Sequence, residues 1–239
     1  PKDQLQLRIL GPGLGEGLLT ASGDAWKRAR RTLSPLFTPK RVAGAAAAMR
    51  DRSERRIDRW LKRRPGAILD IGQEMTALTF DILSATMFSD AIAEDYAGFE
   101  RAMTRYIEAV GRVDPLDALG APAWIPRIGK MIARPSLNFF ADAVAKLVAQ
   151  RGAMISSGVA APDDILTALL RASDPETGIG LTESEAAANI ITFIAAGHET
   201  TARALSWTLH LLAHAPAIRS DAIAEAAADG DDPAQWPGE

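Results

Sequence analysis

The sequence predicts a mainly α-helical fold organised around one long central helix. Three observations carry this. The stretch from Asn189 to Pro216 has two apolar arms and no Pro before Pro216. Thr182 precedes it, with Glu185 three residues on, the reciprocal capping pattern of a helix N-terminus. Elsewhere apolar residues recur at helical spacing between breaks marked by Pro and Gly, and no set of alternating strands stands out.

In chain order, residues 1–20 read as a loop because of the Gly-rich run Gly11 to Gly17. No βαβ pattern surrounds that run, so it is not a dinucleotide fingerprint. Ser22 to Asp24 can cap a helix from Ala25 to Ser34, stopped by Pro35. Thr38-Pro39 starts another, reaching about Leu61, with Val42, Met49, Ile57, Trp60 and Leu61 as candidate core and its arginines as a solvated face. Gln73 to Phe88 and Ala97 to about Arg112 are further helices. Residues 114–135, with four Pro, read as a long irregular connection. Ser136 to about Ile155 is helical, with Phe140, Val144 and Val148 on its apolar stripe. Ile165 to Ala172 is a short helix, and residues 173–178 a turn. The central helix then runs from Glu183 to about His214, roughly 45 Å at 1.5 Å per residue. Apolar on nearly all sides, it is expected to be buried. A last helix, Ile218 to Asp229, is amphipathic and acidic.

The middle of the central helix breaks local rules. Gly197, Thr200 and Thr201 are poor helix formers, and Glu199 is a carboxylate in an apolar run. Such conflicts cluster at functional sites. Thr200 lies four residues after Ala196, so its hydroxyl can bond back to that carbonyl. Gly197 allows something large to approach the backbone. Close helix packing alone would also suit a Gly and two Thr. His198-Glu199 could open a zinc site of the His-Glu-x-x-His kind, but position 202 is Ala, and His198 is better read as packed or hydrated.

Composition narrows the options. The chain has 239 residues, 47% hydrophobic, and a net charge of −3, which does not suit a general nucleic-acid binder. No signal peptide or transmembrane segment is recognised. The first Met is Met49, so the natural N-terminus is expected to be missing. There is no Cys, which excludes disulfides and any Cys nucleophile or ligand within these residues.

Ala196-Gly197-His198-Glu199-Thr200-Thr201 resembles the oxygen-activation motif of the cytochrome P450 family, the haem-thiolate monooxygenases. A second motif, Trp26-x-x-x-Arg30, resembles the pair that holds haem propionates in that family. An indole N–H and a guanidinium fork four residues apart on a helix suit a carboxylate. The likeness runs along most of the chain in the family's order. The Glu-x-x-Arg helix, the Cys ligand loop and the β-rich part of that fold are not found.

The resemblance implies a partial cytochrome P450 domain over residues 1–239. Its cofactor would be haem b, whose axial Cys this chain lacks, and no residue here is expected to bind metal. Glu199 and Thr200 would be catalytic, Thr200 by hydrogen bonding at the oxygen site and Glu199 by feeding protons. Trp26, Arg30, Ala196 and Gly197 would bind the cofactor, and Leu14, Leu18 and Leu19 would line the pocket. The reaction would insert oxygen from O₂ into a small organic substrate. Its electrons would come from NAD(P)H through a ferredoxin, flavodoxin or reductase, for which the arginines of the helix from Pro39 to about Leu61 could form a docking patch. A cytoplasmic, bacterial setting is expected, with no nucleic-acid partner. Without the Cys the isolated chain is expected to be inactive. A cofactor-free all-α binding or regulatory module, or a decayed homologue, is the alternative.

Overall fold

The computed structural model describes residues 2–91, 98, 101–106, 114–122, 124, 125 and 128–228. Its helices are α1 Gln4–Leu14, α2 Gly23–Leu33, α3 Pro39–Leu61, α4 Ile71–Phe88, α5 Pro115–Ala118, α6 Ile128–Ser156, α7 Ile165–Arg171, α8 Glu183–His214 and α9 Pro216–Ala228. Residues 101–106 are also helical. Ser34–Phe37 form a 3₁₀ turn after α2. Among the described residues the one β feature is an isolated antiparallel bridge between Ser173 and Gly180. The expectation of an all-α chain around a long helix is met.

The chain divides into two compact units. One comprises residues 1–36 and 87–195, the other residues 37–86 and 196–239. The first unit holds α1, α2, α5, α6, α7 and the N-terminal arm of α8. Its interior contains Leu14, Leu33, Phe140, Val144, Leu169, Ile190 and Ile194, all buried. The capping box of α8 forms as its sequence requires. The Thr182 amide donates to Glu185 Oε2 at 2.9 Å, and the Glu185 amide donates to Thr182 Oγ1 at 3.2 Å. Burial alone would raise the Glu185 carboxyl, but the bonds from Thr182 and Arg28 outweigh it and hold it low.

The second unit holds α3, most of α4, the C-terminal arm of α8, and α9. Met75, Leu78 and Ala202 form its small apolar centre, with Trp60, Ile71 and Ile82 packed against it. Beside that centre Arg56 is buried, donating to Glu74 at 3.1 Å and to Asp81 at 2.6 Å. The Trp60 indole donates to Glu74 at 2.8 Å, and Arg63 does so at 2.9 Å. The Trp60 bond, helped by Arg56 and Arg63, holds the Glu74 carboxyl below the usual range.

Several expectations need correcting. The first residues are not a loop: α1, capped by the Asp3 side chain, runs through Gly11, Pro12 and Gly13. Pro12 sits in the last turn of α1, where it removes one backbone donor. α2 does end before Pro35, at Leu33, and the chain then tightens to a 3₁₀ turn over Ser34–Phe37. Residues 114–135 are not wholly irregular. They contain α5, and α6 begins at Ile128 with Pro135 inside it. Most of the helix expected over residues 97–112 lies outside the described residues. Thr38 holds the N-cap position of α3, but its side chain makes no cap bond.

The core of α3 was also misjudged. Val42, Met49, Ile57 and Leu61 are exposed, whereas Ala46 and Arg56 are buried. A buried Arg with two carboxylates displaced the expected apolar stripe. The uniform burial expected for α8 holds for its first arm only. Leu205, Trp207, Leu209 and Leu211 in the second are exposed.

Candidate functional site

The centre of α8 is built from residues of the second unit. Thr200 Oγ1 donates to the Ala196 carbonyl at 2.5 Å, the back-bond its spacing predicts. Ala196, Gly197 and Thr200 are all exposed. A Cβ placed on Gly197 would meet no atom within 4 Å. This face of α8 is lined by small side chains and one hydroxyl, so a broad, flat group can come close to the backbone there.

Glu199 points away from that face. Its Oε1 accepts from Arg203 Nη2 at 2.7 Å and from Arg203 Nε at 3.0 Å, one turn along the helix. The carboxylate stays solvent-accessible, with 36% of the side chain exposed. Arg203 was not singled out from the sequence, although its i+4 position after Glu199 could have revealed it.

His198 is buried, 2% exposed. Its Nε2 lies 3.1 Å from the Thr76 carbonyl on α4, and its ring meets Phe80 edge-on at 6.1 Å between centroids. Burial pushes the imidazole below its usual range, against the opposing pulls of the Thr76 carbonyl and Glu199. The expectation of a packed histidine is met. Among the described residues no group of His, Asp or Glu could hold a metal ion.

The other predicted motif lies on α2, in the first unit. Trp26 is 38% exposed, and Arg30 is exposed too. Neither side chain has a hydrogen-bond partner among the described residues. Their neighbours differ. Arg28 pairs with Glu185 and also donates to the Gly180 carbonyl at 3.4 Å. Arg31 forks the buried Asp174. Arg28 and Arg31 are thus ion-paired rather than solvated. Two charges anchor α2 and leave Trp26 and Arg30 with their donors unused, as a carboxylate-binding pair requires.

The loop before α2 is pinned to the first arm of α8. The Leu18 amide donates to Asn189 Oδ1 at 3.0 Å. A Cβ on Gly17 would lie 2.5 Å from Thr192 Oγ1 and 2.8 Å from the Ala188 carbonyl. Leu14 is buried in the core, while Leu19 is 37% exposed.

The cytochrome P450 family model matches residues 2–233, and the chain belongs to that family. Cyclooctatin synthase of Streptomyces melanosporofaciens is 32% identical over 90% of this chain and 45% of its own length. A bifunctional cytochrome P450/NADPH–P450 reductase of Alternaria alternata is 33% identical over 89% of this chain and 20% of its own. The chain thus spans less than half the length of either relative. The solved cytochrome P450DA heme domain superposes with a TM-score of 0.75 at 23% identity, covering 92% of this chain and 48% of that one, which shows the shared fold. No helix among the described residues is long and apolar enough to cross a membrane.

Proposed function

We propose that this chain is the part of a haem-dependent monooxygenase that holds the propionates and delivers protons. One observation carries the reading. In a chain of this family, Ala196, Gly197 and Thr200 form an exposed small-residue face with a hydroxyl set on it. The unused donors of Trp26 and Arg30 on α2 support it. Taken separately, each set of residues has the chemistry a haem group would need.

Haem, when bound, would supply an iron centre for activating O₂. The roles of the chain's own residues follow from their chemistry. The Trp26 indole N–H and the Arg30 guanidinium would bind the two carboxylates of the cofactor. Ala196 and Gly197 would leave room for its plane. The Thr200 hydroxyl keeps its proton on the Ala196 carbonyl and turns its lone pairs outward, where it can accept from a water. It can also swing that proton outward to donate. Glu199, accessible to solvent, would take a proton from bulk water and pass it inward once Arg203 releases the carboxylate. Proton placement of this kind contributes about 10²–10⁴-fold in rate.

The substrate would be a small organic molecule. One relative from Streptomyces melanosporofaciens is a cyclooctat-9-en-7-ol 5-monooxygenase, which supports oxygen insertion. Electrons would come from NAD(P)H through a reductase, a reading supported by relatives fused to one. These 239 residues contain no Cys, so a thiolate to hold the iron would have to come from outside them.

The test is to express the chain extended through its downstream coding DNA and record the reduced carbon-monoxide adduct. The expected result is the red-shifted Soret band of thiolate-ligated haem. No haem uptake, or no Cys in the extension, would overturn the reading.

A further inference from the structure

The mechanism leaves His198 unused, yet it is the most buried polar group in the middle of α8. Residues two apart on a helix point about 160° from each other. His198 therefore faces away from both Ala196 and Thr200, toward the buried side that Ala202 shares one turn on. Thr76 offers its carbonyl there, and a carbonyl only accepts. The ring must then carry its proton on Nε2. Nδ1 is buried and has no hydrogen-bond partner among the described residues. The site thus accommodates one neutral tautomer and penalises both the other tautomer and the cation.

The position of this contact matters. Gly197, Thr200 and Thr201 make residues 197–201 the weakest helix-forming stretch of α8. Rotating the helix by one residue would turn Thr200 off the open face.

We propose that His198 is a positioning residue: its Nε2–H, donated to the Thr76 carbonyl, latches α8 to α4 and fixes the rotation that presents Ala196, Gly197 and Thr200 together. As a role in catalysis this rests on the monooxygenase reading, but the latch itself does not. The charged groups around it are accounted for. On α8, Glu199 adjoins it and is held by Arg203. On α4, Glu74 and Asp81 are held by Arg56, Arg59 and Arg63 from α3. Among the described residues Nδ1 has no hydrogen-bond partner, and the pull of the nearby Glu199 does not offset the burial that disfavours the cation.

The experiment uses ¹⁵N-histidine NMR and amide hydrogen exchange on the chain, neither of which needs haem. His198, assigned by loss of its signals in His198→Gln, is expected as the Nε2–H tautomer and to titrate below ordinary imidazole. His198→Phe keeps the ring against Phe80 but removes the donor. It should speed exchange at residues 197–202 about twofold to tenfold, the range of one net hydrogen bond, with α3 unchanged. His198→Gln, which can donate to the same carbonyl, should restore protection. The latch is overturned by an Nδ1–H tautomer, by unchanged exchange in His198→Phe, by no rescue with Gln, or by equal loosening of α3. If His198→Phe does not fold, the tautomer and titration of the unaltered chain decide. A latch that passes while the extended chain takes up no haem removes the monooxygenase reading alone.

Discussion

Arg31 closes two hydrogen bonds on Asp174, from Nε at 2.9 Å and from Nη2 at 2.8 Å, across 143 residues of chain. Asp174 also accepts from the Glu176 amide at 3.2 Å and the Thr177 hydroxyl at 3.1 Å. The Arg31 fork is the main cause of a carboxyl held far below its usual range. A carboxylate depressed in the folded state stabilises above its unfolded pKa, about 4, and loses that contribution as the pH falls through the folded value. Asp174→Asn should therefore lower the urea midpoint by a constant amount above about pH 4, and the gap should close as the pH drops further. A gap independent of pH would sink this account.

Arg30 and Arg31 are adjacent but should behave oppositely. Arg30→Gln removes an exposed side chain without partners among the described residues, so stability should shift by no more than about 0.5 kcal/mol. In the haem-loaded extended enzyme it should weaken haem retention. Arg31→Gln should do the reverse, destabilising first and affecting haem only through α2. Denaturant melts paired with haem-transfer rates separate the two. Equal effects from both would contradict the division of labour on α2.

Arg151 and Asp164 are buried as a pair, with Nη1 at 2.6 Å from Oδ1. Asp164 also caps α7 through the Thr167 amide at 2.9 Å and accepts from the Ser89 hydroxyl at 2.9 Å. Asp164→Ala strands a buried guanidinium and uncaps α7 together. The expected cost is about 3–5 kcal/mol, read from urea unfolding. A loss below about 1 kcal/mol would show that water replaces the carboxylate.

Gly17→Ala puts a methyl group against a backbone carbonyl of α8, which cannot turn aside as a flexible side chain could. A cost of about 1–3 kcal/mol is expected. Thr192→Ala on the same background should recover part of it by removing the nearer atom. No recovery would mean that the Ala188 carbonyl alone sets the limit.

Thr200→Ala separates function from folding. Ala is the better helix former, and the hydroxyl is exposed, so stability should hold or rise slightly. In the extended enzyme, product formed per NAD(P)H should fall. Unchanged coupling at unchanged stability would withdraw the role given to Thr200.

The sequence alone determined what depends on neighbours within a turn or two. The capping box of Thr182 and Glu185, the Pro39 start of α3, the back-bond from Thr200 to Ala196 and the two family motifs all join residues no more than five apart. Tertiary structure decided which charges are buried. Arg28, Arg31, Arg56 and Arg151 find their carboxylates 13 to 157 residues away, so no local pattern distinguishes them from solvated arginines. It also decided that α3 buries Arg56 in place of Leu61, and that His198 turns its Nε2 to Thr76. Periodicity marks a helix face, but its surroundings come from whatever the rest of the chain packs against it.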